Sequence, residues 1–302
     1  MPMFISGRTS FLGVLGQPVR HSLSPEMHNA ALAELALDWV YLALPTPPAQ
    51  LATVVQALEA MDCRGINVTI PYKQAVAPLT AELTPLAQRL GAVNTLSRHV
   101  DGGWLGTNTD VEGFVASLRT KGPWEDRQAL VMGCGGSARA VVAGLVELGL
   151  DRIWLAGRRL SRLETFVAEC HPWAPALKAH AWKQGGSGER LHQCDLVVNT
   201  TPVGMAGTES VTSPVQSIRE DCPLKQAELD LLQPGTTVYD LIYTPRPTPL
   251  LRAAGLRGCT CVDGLEMLVQ QGAAALRLWS GLEQVPVLSM RQALLMRLTP
   301  LA

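Results

Sequence analysis

The feature that most constrains the fold is a glycine-rich turn between a predicted strand and a predicted helix. Ala129 to Met132 form a short apolar run that leads into Gly133-Cys134-Gly135-Gly136, and residues 137–148 then follow a helical pattern. Glycines at such a turn let the backbone approach a pyrophosphate, and the amino end of the following helix favours the anion. The sequence therefore predicts a dinucleotide-binding unit of the Rossmann type.

The segment after the next predicted strand indicates which dinucleotide is bound. The strand covers residues 153–156 and is followed by Gly157-Arg158-Arg159-Leu160-Ser161-Arg162, which contains no Asp or Glu. An NAD site usually has a carboxylate here that binds the ribose 2′-hydroxyl, whereas arginines can bind a 2′-phosphate through paired hydrogen bonds. A solvated basic loop is the alternative explanation, but the position directly after the glycine turn favours NADP.

Strand and helix patterns alternate on both sides of Lys121-Gly122-Pro123, which is a plausible hinge. A chain of 302 residues with 47% hydrophobic residues has enough apolar material for two domains. The alternation predicts α/β domains with parallel-type sheets. The predicted strands are 11–15, 39–44, 65–70, 129–132, 153–156, 196–199 and 237–241, and the predicted helices are 24–37 (with Ser24 as N-cap), 50–60, 137–148, 264–281 and 287–298. Residues 203–234 give no clear prediction.

Composition excludes several classes of protein. With 25 basic and 26 acidic residues the formal net charge is −1, so the basic excess typical of nucleic-acid binders is missing. The first ten residues do not resemble a secretory signal, and no apolar stretch reaches the ~18 residues of a membrane span. Seven cysteines without a C-x-x-C pair argue against a metal site. A reduced, metal-free cytoplasmic protein is expected.

Polar residues at predicted strand ends indicate a second site. Asn67 and Thr69 lie two apart and share a strand face, and Lys73 follows just past the strand end. Ser24 has an N-cap as its simpler explanation. Similar clusters of polar residues follow other short apolar segments: Asn94, Thr95, Asn108, Thr109 and Asp110. Polar groups on a core-directed face need partners, and a polyhydroxylated ligand would supply them.

Eight motifs between Gly16 and Gly281 resemble, in order, those of the shikimate dehydrogenase family. They are H-S-x-S-P (21–25), N-V-T-x-P-x-K (67–73), A-V-N-T (92–95), N-T-D-x-x-G (108–113), G-x-G-G (133–136), N-x-T-P-x-G-M (199–205), Y-D-x-x-Y-x-P (239–245) and G-x-x-M-L-V-x-Q (264–271). Any single motif could occur by chance, but the whole ordered set is specific.

The resemblance implies an N-terminal α/β substrate domain (1–112 with 262–302) and a Rossmann-type NADP domain (113–261), with a cleft between them for shikimate or 3-dehydroshikimate. It implies that Lys73 and Asp110 form the catalytic acid-base pair. The implied substrate-binding residues are Ser22, Ser24, Asn67, Thr69, Asn94, Asp110, Tyr243 and Gln271. The implied cofactor-binding residues are Gly133, Cys134, Gly135, Gly136, Ser137, Gly157, Arg158, Arg159, Arg162, Leu241 and Gly264.

The chain departs from the family pattern where the usual N-R-T is replaced by Gly157-Arg158-Arg159, and where Cys134 replaces a common alanine. Two related alternatives stay open: a quinate/shikimate dehydrogenase that uses NAD and NADP, and a non-catalytic module that senses shikimate. A Rossmann oxidoreductase for another cyclic carbonyl compound would share the glycine turn but not the serine and lysine motifs. The family includes monomers and homodimers, and the sequence does not decide between them.

Overall fold

A computed structural model describes residues 5–182, 188–205 and 222–298 of the chain. Its strands are β1 Ser10–Gly16, β2 Trp39–Pro45, β3 Gly65–Val68, β4 Glu82–Leu83, β5 Thr95–Arg98, β6 Trp104–Thr107, β7 Gln128–Met132, β8 Arg152–Gly157, β9 Leu177–Ala181, β10 Leu196–Asn199, β11 Thr237–Asp240 and β12 Thr260–Val262. Its helices are α1 Ser24–Glu34, α2 Leu51–Ala60, α3 Pro85–Leu90, α4 Asp110–Leu118, α5 Gly136–Glu147, α6 Leu160–Cys170, α7 Gly188–Leu191, α8 Gln226–Leu229, α9 Pro249–Gly255, α10 Leu265–Ser280 and α11 Val287–Leu298.

The chain divides into two compact units. Unit 1 holds the described residues of Met1–Gly113 and Leu268–Ala302, and unit 2 holds those of Phe114–Met267. Each unit contains one six-stranded sheet. The mixed α/β class predicted from the alternating patterns is confirmed.

The sheet of unit 1 has the order β2-β1-β3-β5-β6-β4. β1 pairs in parallel with β2 and β3, but β5 is antiparallel to both β3 and β6. The prediction of parallel-type pairing is therefore wrong for the middle of this sheet. A tight turn between β5 and β6 reverses the chain, with Gly102 and Gly103 at φ +94° and +78°, a backbone conformation that favours glycine.

The sheet of unit 2 has the order β12-β11-β10-β7-β8-β9, and each pair of adjacent strands in it is parallel. Counted from β7, this is the common order of dinucleotide-binding sheets, in which the strand order reverses between β7 and β10. All four residues of β10 and of β11 are buried, as expected for central strands covered on both faces. Ligands of such sheets bind at the carboxyl ends beside this reversal.

Two local predictions need correction, and one segment without a prediction is described in part. The N-cap of α1 is Leu23 and has no side-chain capping bond, so the predicted N-cap at Ser24 is wrong: Ser24 is already helical. β3 ends at Val68, because Pro71 follows closely and cannot donate to a ladder, so Thr69 lies just beyond the strand. Within the unassigned segment 203–234, α8 forms a short helix, whereas residues 206–221 lie outside the described part.

No helix in the three described ranges is long and apolar enough to cross a membrane.

Candidate active site

In unit 1, the segments after β1 and β3 leave the sheet at the same edge. The strands are parallel, and Leu15 pairs with Val68 near their carboxyl ends. The Gln17 backbone N–H donates to the Ile70 carbonyl over 3.1 Å, which ties the two segments together. The serine motif and the lysine motif therefore begin side by side, although about fifty positions separate them in sequence.

Lys73 and Asp110 form an ion pair at this edge. Lys73 Nζ donates to Asp110 Oδ2 over 2.6 Å, and the two side chains are 11% and 7% exposed. Asp110 is the first residue of α4, and its N–H donates to Asn108 Oδ1 over 3.0 Å. A carboxylate is stabilised at the amino end of a helix, where peptide N–H groups point outward. The Asp110 carboxylate is thus stabilised both by the Lys73 ammonium and by the amino end of α4, and the Lys73 side chain stays partly exposed to solvent.

Asn94 connects this pair to its surroundings. Its Nδ2 lies 2.8 Å from Asp110 Oδ1 and 3.4 Å from Gln271 Oε1. Its Oδ1 accepts the Thr109 backbone N–H over 2.7 Å. These contacts bring together four predicted residues from distant parts of the sequence. The structure therefore groups Lys73, Asn94, Asp110 and Gln271 within one polar cluster.

The remaining substrate candidates differ in their surroundings. Asn67 is 5% exposed, and both ends of its amide bond to other side chains. Ser22 Oγ accepts the Ser24 backbone N–H over 3.3 Å, at the start of α1. Thr69 is half-buried, and its hydroxyl has no side-chain hydrogen bond to the described residues. Tyr243 is half-buried in the turn after β11 and belongs to unit 2.

In unit 2, the glycine turn joins β7 to α5 as predicted. Gly133 has φ +105°, and a Cβ there would lie 2.6 Å from Thr200 Oγ1. A side chain at Gly133 would therefore collide with the segment after β10. Gly135 differs, because a Cβ there would meet no described residue within 4 Å. The space over Gly135 is open, at the amino end of α5 and beside the reversal in strand order.

The arginine segment follows the neighbouring strand. Met132 pairs with Ala156, so the glycine turn after β7 and the segment after β8 leave the sheet at the same edge. Arg158, Arg159 and Arg162 are exposed, and within the described part of the chain none forms a salt bridge. Three exposed guanidinium groups at the same edge of the sheet as the glycine turn are suited to bind a phosphate group.

Leu241 and Gly264 lie against each other in unit 2. The Gly264 N–H donates to the Ile242 carbonyl over 3.2 Å, and a Cβ on Gly264 would overlap the Leu241 carbonyl oxygen. Only glycine allows this close approach of the two backbones. The remaining cofactor candidates are Cys134 in the turn, Gly136 and Ser137 in the first turn of α5, and Gly157 at the end of β8.

A second buried carboxylate, Asp240, lies in unit 2. Asp240, at the end of β11, accepts hydrogen bonds from Thr248 Oγ1 (2.7 Å), Asn199 Nδ2 (3.0 Å) and the Ile242 N–H (3.2 Å). Burial raises the pKa of Asp240 to about 6, although these hydrogen bonds lower it in part. Asp240 entered the sequence predictions only as part of the Y-D-x-x-Y-x-P motif (239–245), with no role assigned to it.

No group of three or more His, Cys, Asp or Glu side chains that could hold a metal ion occurs among the residues described.

Comparison with known proteins gives a consistent result. Residues 14–96 match the family model of the shikimate dehydrogenase substrate binding domain, and residues 264–295 match that of the shikimate 5′-dehydrogenase C-terminal domain. The chain is 47% identical over 298 residues to a "Shikimate dehydrogenase (NADP(+))" of Nostoc sp., covering 97% of this chain and 99% of that protein.

Solved structures are similar over at least 95% of the chain. Shikimate 5-dehydrogenase from Thermus thermophilus, in complex with NADP(H) and shikimate, is 35% identical with a TM-score of 0.78, covering 96% of this chain and 100% of that one. Quinate dehydrogenase from Corynebacterium glutamicum, in complex with NAD, is 30% identical with a TM-score of 0.81, covering 95% and 99%.

Proposed function

The chain belongs to the shikimate dehydrogenase family, and from this premise we propose that it catalyses the reversible, NADP-dependent reduction of 3-dehydroshikimate to shikimate. The observation that carries the proposal is the ion pair of Lys73 with Asp110, 2.6 Å long and almost buried. The proposed proton transfer needs a positioned acid close to groups that can bind a polyhydroxylated substrate, and Lys73, held by Asp110, meets this requirement. The names of the similar proteins, which specify shikimate and NADP, support the same activity.

Lys73 is the proton donor in this proposal. Its ammonium group gives a proton to the substrate's carbonyl oxygen during reduction and takes it back from the alcohol during oxidation. Asp110 holds Lys73 in place and accepts a hydrogen bond from a substrate hydroxyl. When bound, the nicotinamide cofactor would supply the hydride for the carbonyl carbon. A positioned acid of this kind contributes roughly 10²–10⁴-fold to the rate.

We propose that the polar side chains of the family motifs bind the substrate. We assign the substrate carboxylate to Ser22 and Ser24, and the ring hydroxyls to Thr69, Asn94 and Gln271. The half-buried Thr69 hydroxyl makes no hydrogen bond to another described side chain, which supports this assignment because a ligand hydroxyl can bind it. Asn67 and Tyr243 are proposed to complete the set. Selectivity would be high, because an analogue without a hydroxyl would leave buried polar groups unpaired.

The residues of unit 2 fit a phosphorylated dinucleotide. The space over Gly135 leaves room for a pyrophosphate, and the amino end of α5 offers N–H donors to it. The exposed arginines after β8 add positive charge. We propose that the following residues hold NADP: Gly133, Cys134, Gly135, Gly136, Ser137, Gly157, Arg158, Arg159, Arg162, Leu241 and Gly264. We assign substrate binding and catalysis to residues 1–112 with 262–302, and NADP binding to residues 113–261.

We propose that the enzyme works in the cytoplasm. All seven cysteines are free thiols, which is expected in a reducing compartment. The small-molecule substrate and cofactor are the only partners that this proposal requires, and a net charge of −1 offers no support for a nucleic-acid partner.

A second candidate is a quinate dehydrogenase that uses NAD, since one similar structure carries that name and cofactor. The segment after β8 favours NADP instead. It presents Arg158 and Arg159 and lacks the carboxylate that would bind the ribose 2′-hydroxyl of NAD.

The test is the initial rate of oxidation of shikimate and of quinate, each with NADP and with NAD. We expect shikimate with NADP to give the highest kcat/KM. Arg158→Ala should lower kcat/KM for NADP by roughly 10–150-fold and leave that for NAD unchanged, because a charged hydrogen bond contributes about 1.5–3 kcal/mol. Arg152→Ala, an exposed arginine at the other end of β8, is the matched control and should change neither value.

Other outcomes would select the alternatives. Equal or faster turnover of quinate with NAD would favour the quinate dehydrogenase. Binding of shikimate without any turnover would favour a sensing module.

A further inference from the structure

A continuous series of hydrogen bonds runs from the core of unit 1 to the candidate catalytic pair. Tyr41 OH donates to Asn67 Oδ1 over 2.7 Å, and Asn67 Nδ2 donates to Thr95 Oγ1 over 3.1 Å. Thr95 Oγ1 donates to Asn94 Oδ1 over 2.9 Å, and Asn94 Nδ2 donates to Asp110 Oδ1 over 2.8 Å. All five side chains are buried. We call this series the Tyr41 relay.

Backbone groups fix the direction of the relay. The Thr109 N–H can only donate, and it donates to Asn94 Oδ1 over 2.7 Å, so Asn94 must direct its Nδ2 toward Asp110. The Asn94 carbonyl can only accept, and it accepts from Asn67 Nδ2 over 3.3 Å. Asn67 must therefore direct its Oδ1 toward Tyr41, whose hydroxyl has to be the donor. Neither amide can be turned over without breaking a bond to the backbone.

Tyr41 is firmly held and has no access to water as a substitute partner. It is 1% exposed, and its ring stacks on the His28 ring with centroids 4.2 Å apart and planes 10° apart. Its backbone bonds twice to the Asn29 amide, over 2.8 Å and 3.0 Å. Burial raises the pKa of Tyr41 well above its ordinary value, against a smaller lowering by the Ser24 hydroxyl, so the phenol stays a donor.

We propose that Tyr41 is a positioning residue for the reaction, which acts through the relay to hold Asp110 in the orientation that pairs with Lys73. The inference rests on the proposed function, since it concerns the same ion pair. Removing the phenol oxygen would leave Asn67 Oδ1 without its buried donor. The Asn67 amide would then shift to find another partner, and Thr95 and Asn94 would lose part of their fixed orientation. Asp110 would be less well placed, although no residue that touches the reacting atoms had changed.

The experiment compares Tyr41→Phe with Tyr72→Phe. Tyr72 is a matched control because it is also a buried tyrosine of unit 1, with its hydroxyl donating over 2.5 Å to the Thr46 carbonyl, outside the relay. We expect Tyr41→Phe to lower kcat by about 5–30-fold, as for one lost buried hydrogen bond, with a smaller change in KM for shikimate. Tyr72→Phe should leave kcat within about twofold, even if its melting temperature falls as much.

A double-mutant cycle separates positioning from general loosening of the fold. In an Asp110→Asn background, Tyr41→Phe should cause no further loss of kcat, because the relay would have nothing left to position. Thr95→Val, which breaks the relay in the middle, should reproduce the loss of Tyr41→Phe and should not add to it. If Tyr41→Phe lowered kcat by the same factor in both backgrounds, or left it unchanged while the wild type was active, the relay would be rejected. An inactive wild type would instead reject the proposed function.

Discussion

Each unit buries an aspartate at the carboxyl edge of its sheet, and the two carboxylates have different partners. Asp110 in unit 1 pairs with the ammonium of Lys73 and accepts from Asn94. Asp240 in unit 2 accepts hydrogen bonds from neutral donors: Thr248, Asn199 and a backbone N–H. Burial raises the pKa of Asp240 to about 6, so its charge is costly at neutral pH.

The difference supports the chemical role proposed for Asp110 and indicates a structural role for Asp240. An ion pair that keeps 11% of its lysine exposed can meet a substrate and exchange a proton with it. A fully buried carboxylate among neutral donors can only hold the chain in place, here by joining β10, β11 and the start of α9. Burial of a carboxylate is therefore not a sign of catalysis by itself; the cation partner and the residual exposure distinguish the two sites.

The largest effect that tests this contrast is on turnover. We expect Lys73→Ala to lower kcat by roughly 10²–10⁴-fold with little change in substrate binding, because the proton donor is lost. Asp240→Asn, measured in parallel, should lower kcat by less than about tenfold. Steady-state kinetics with shikimate and NADP check both values. A comparable loss in both variants would remove the contrast.

The second test is the pH dependence of stability in unit 2. Folding raises the pKa of Asp240 from 3.8 to about 6, so the folded protein binds more protons in this range. Its contribution to the free energy of unfolding must therefore fall as the pH rises from 3.8 to 6, by on the order of 3 kcal/mol. Denaturant unfolding of wild type and Asp240→Asn between about pH 4 and 7 gives this difference. A pH-independent difference between the two proteins would contradict it.

Unit 1 should respond to pH in the opposite sense, through His28. Burial lowers the pKa of this histidine to about 3, against a smaller opposing effect of the Asn67 amide. Protonation then favours the unfolded chain, so stability falls as the pH drops below 6.5, by on the order of 2 kcal/mol at pH 5. His28→Leu should remove this loss, whereas replacing the exposed His21 should not. Unfolding curves at about pH 5 and 7 test the expectation, which fails if the two variants respond alike.

The smallest effect compares the asparagines that donate to the two carboxylates. Asn94→Ala should lower kcat/KM for shikimate by about 5–30-fold, because Asp110 loses a buried donor beside the substrate. Asn199→Ala should mainly lower stability, by about 1–3 kcal/mol, because Asp240 and the Thr201 backbone lose their partner. Kinetics and thermal unfolding of both variants provide the measurement. A selective loss of activity in Asn199→Ala would reverse the assignment of roles.

Elements with a clear apolar pattern were predictable from sequence, and elements without one were not. β10 and α11 have the predicted bounds, since Leu196, Val197 and Val198 form a continuous apolar run and residues 287–298 repeat with helical spacing. β5 and β6, which are as short as β10, were missed because Thr-Leu-Ser-Arg and Trp-Leu-Gly-Thr contain no such run. Their antiparallel pairing depends on the turn at Gly102 and Gly103. The alternation of strands and helices in the rest of the chain predicted parallel pairing instead.

The candidate sites divide in the same manner. Motifs such as N-V-T-x-P-x-K (67–73) and N-T-D-x-x-G (108–113) identified Lys73 and Asp110 without any geometry. Tyr41 gave no signal at all, because an aromatic residue in an apolar strand is expected in any core. Its hydroxyl becomes informative only when Asn67 is seen to accept from it.

The sequence by itself determined the class of fold, the glycine turn, the arginines that favour NADP and the membership in the family. These features are local, because they depend only on which residue types occur, and at what spacing, within one strand, turn or helix. Only the tertiary structure decided that Lys73 lies 2.6 Å from Asp110, and that Tyr41 reaches this pair through Asn67, Thr95 and Asn94. Such contacts join residues that are far apart in the chain. Strand order and strand register bring these residues together, and no local sequence pattern specifies either of them.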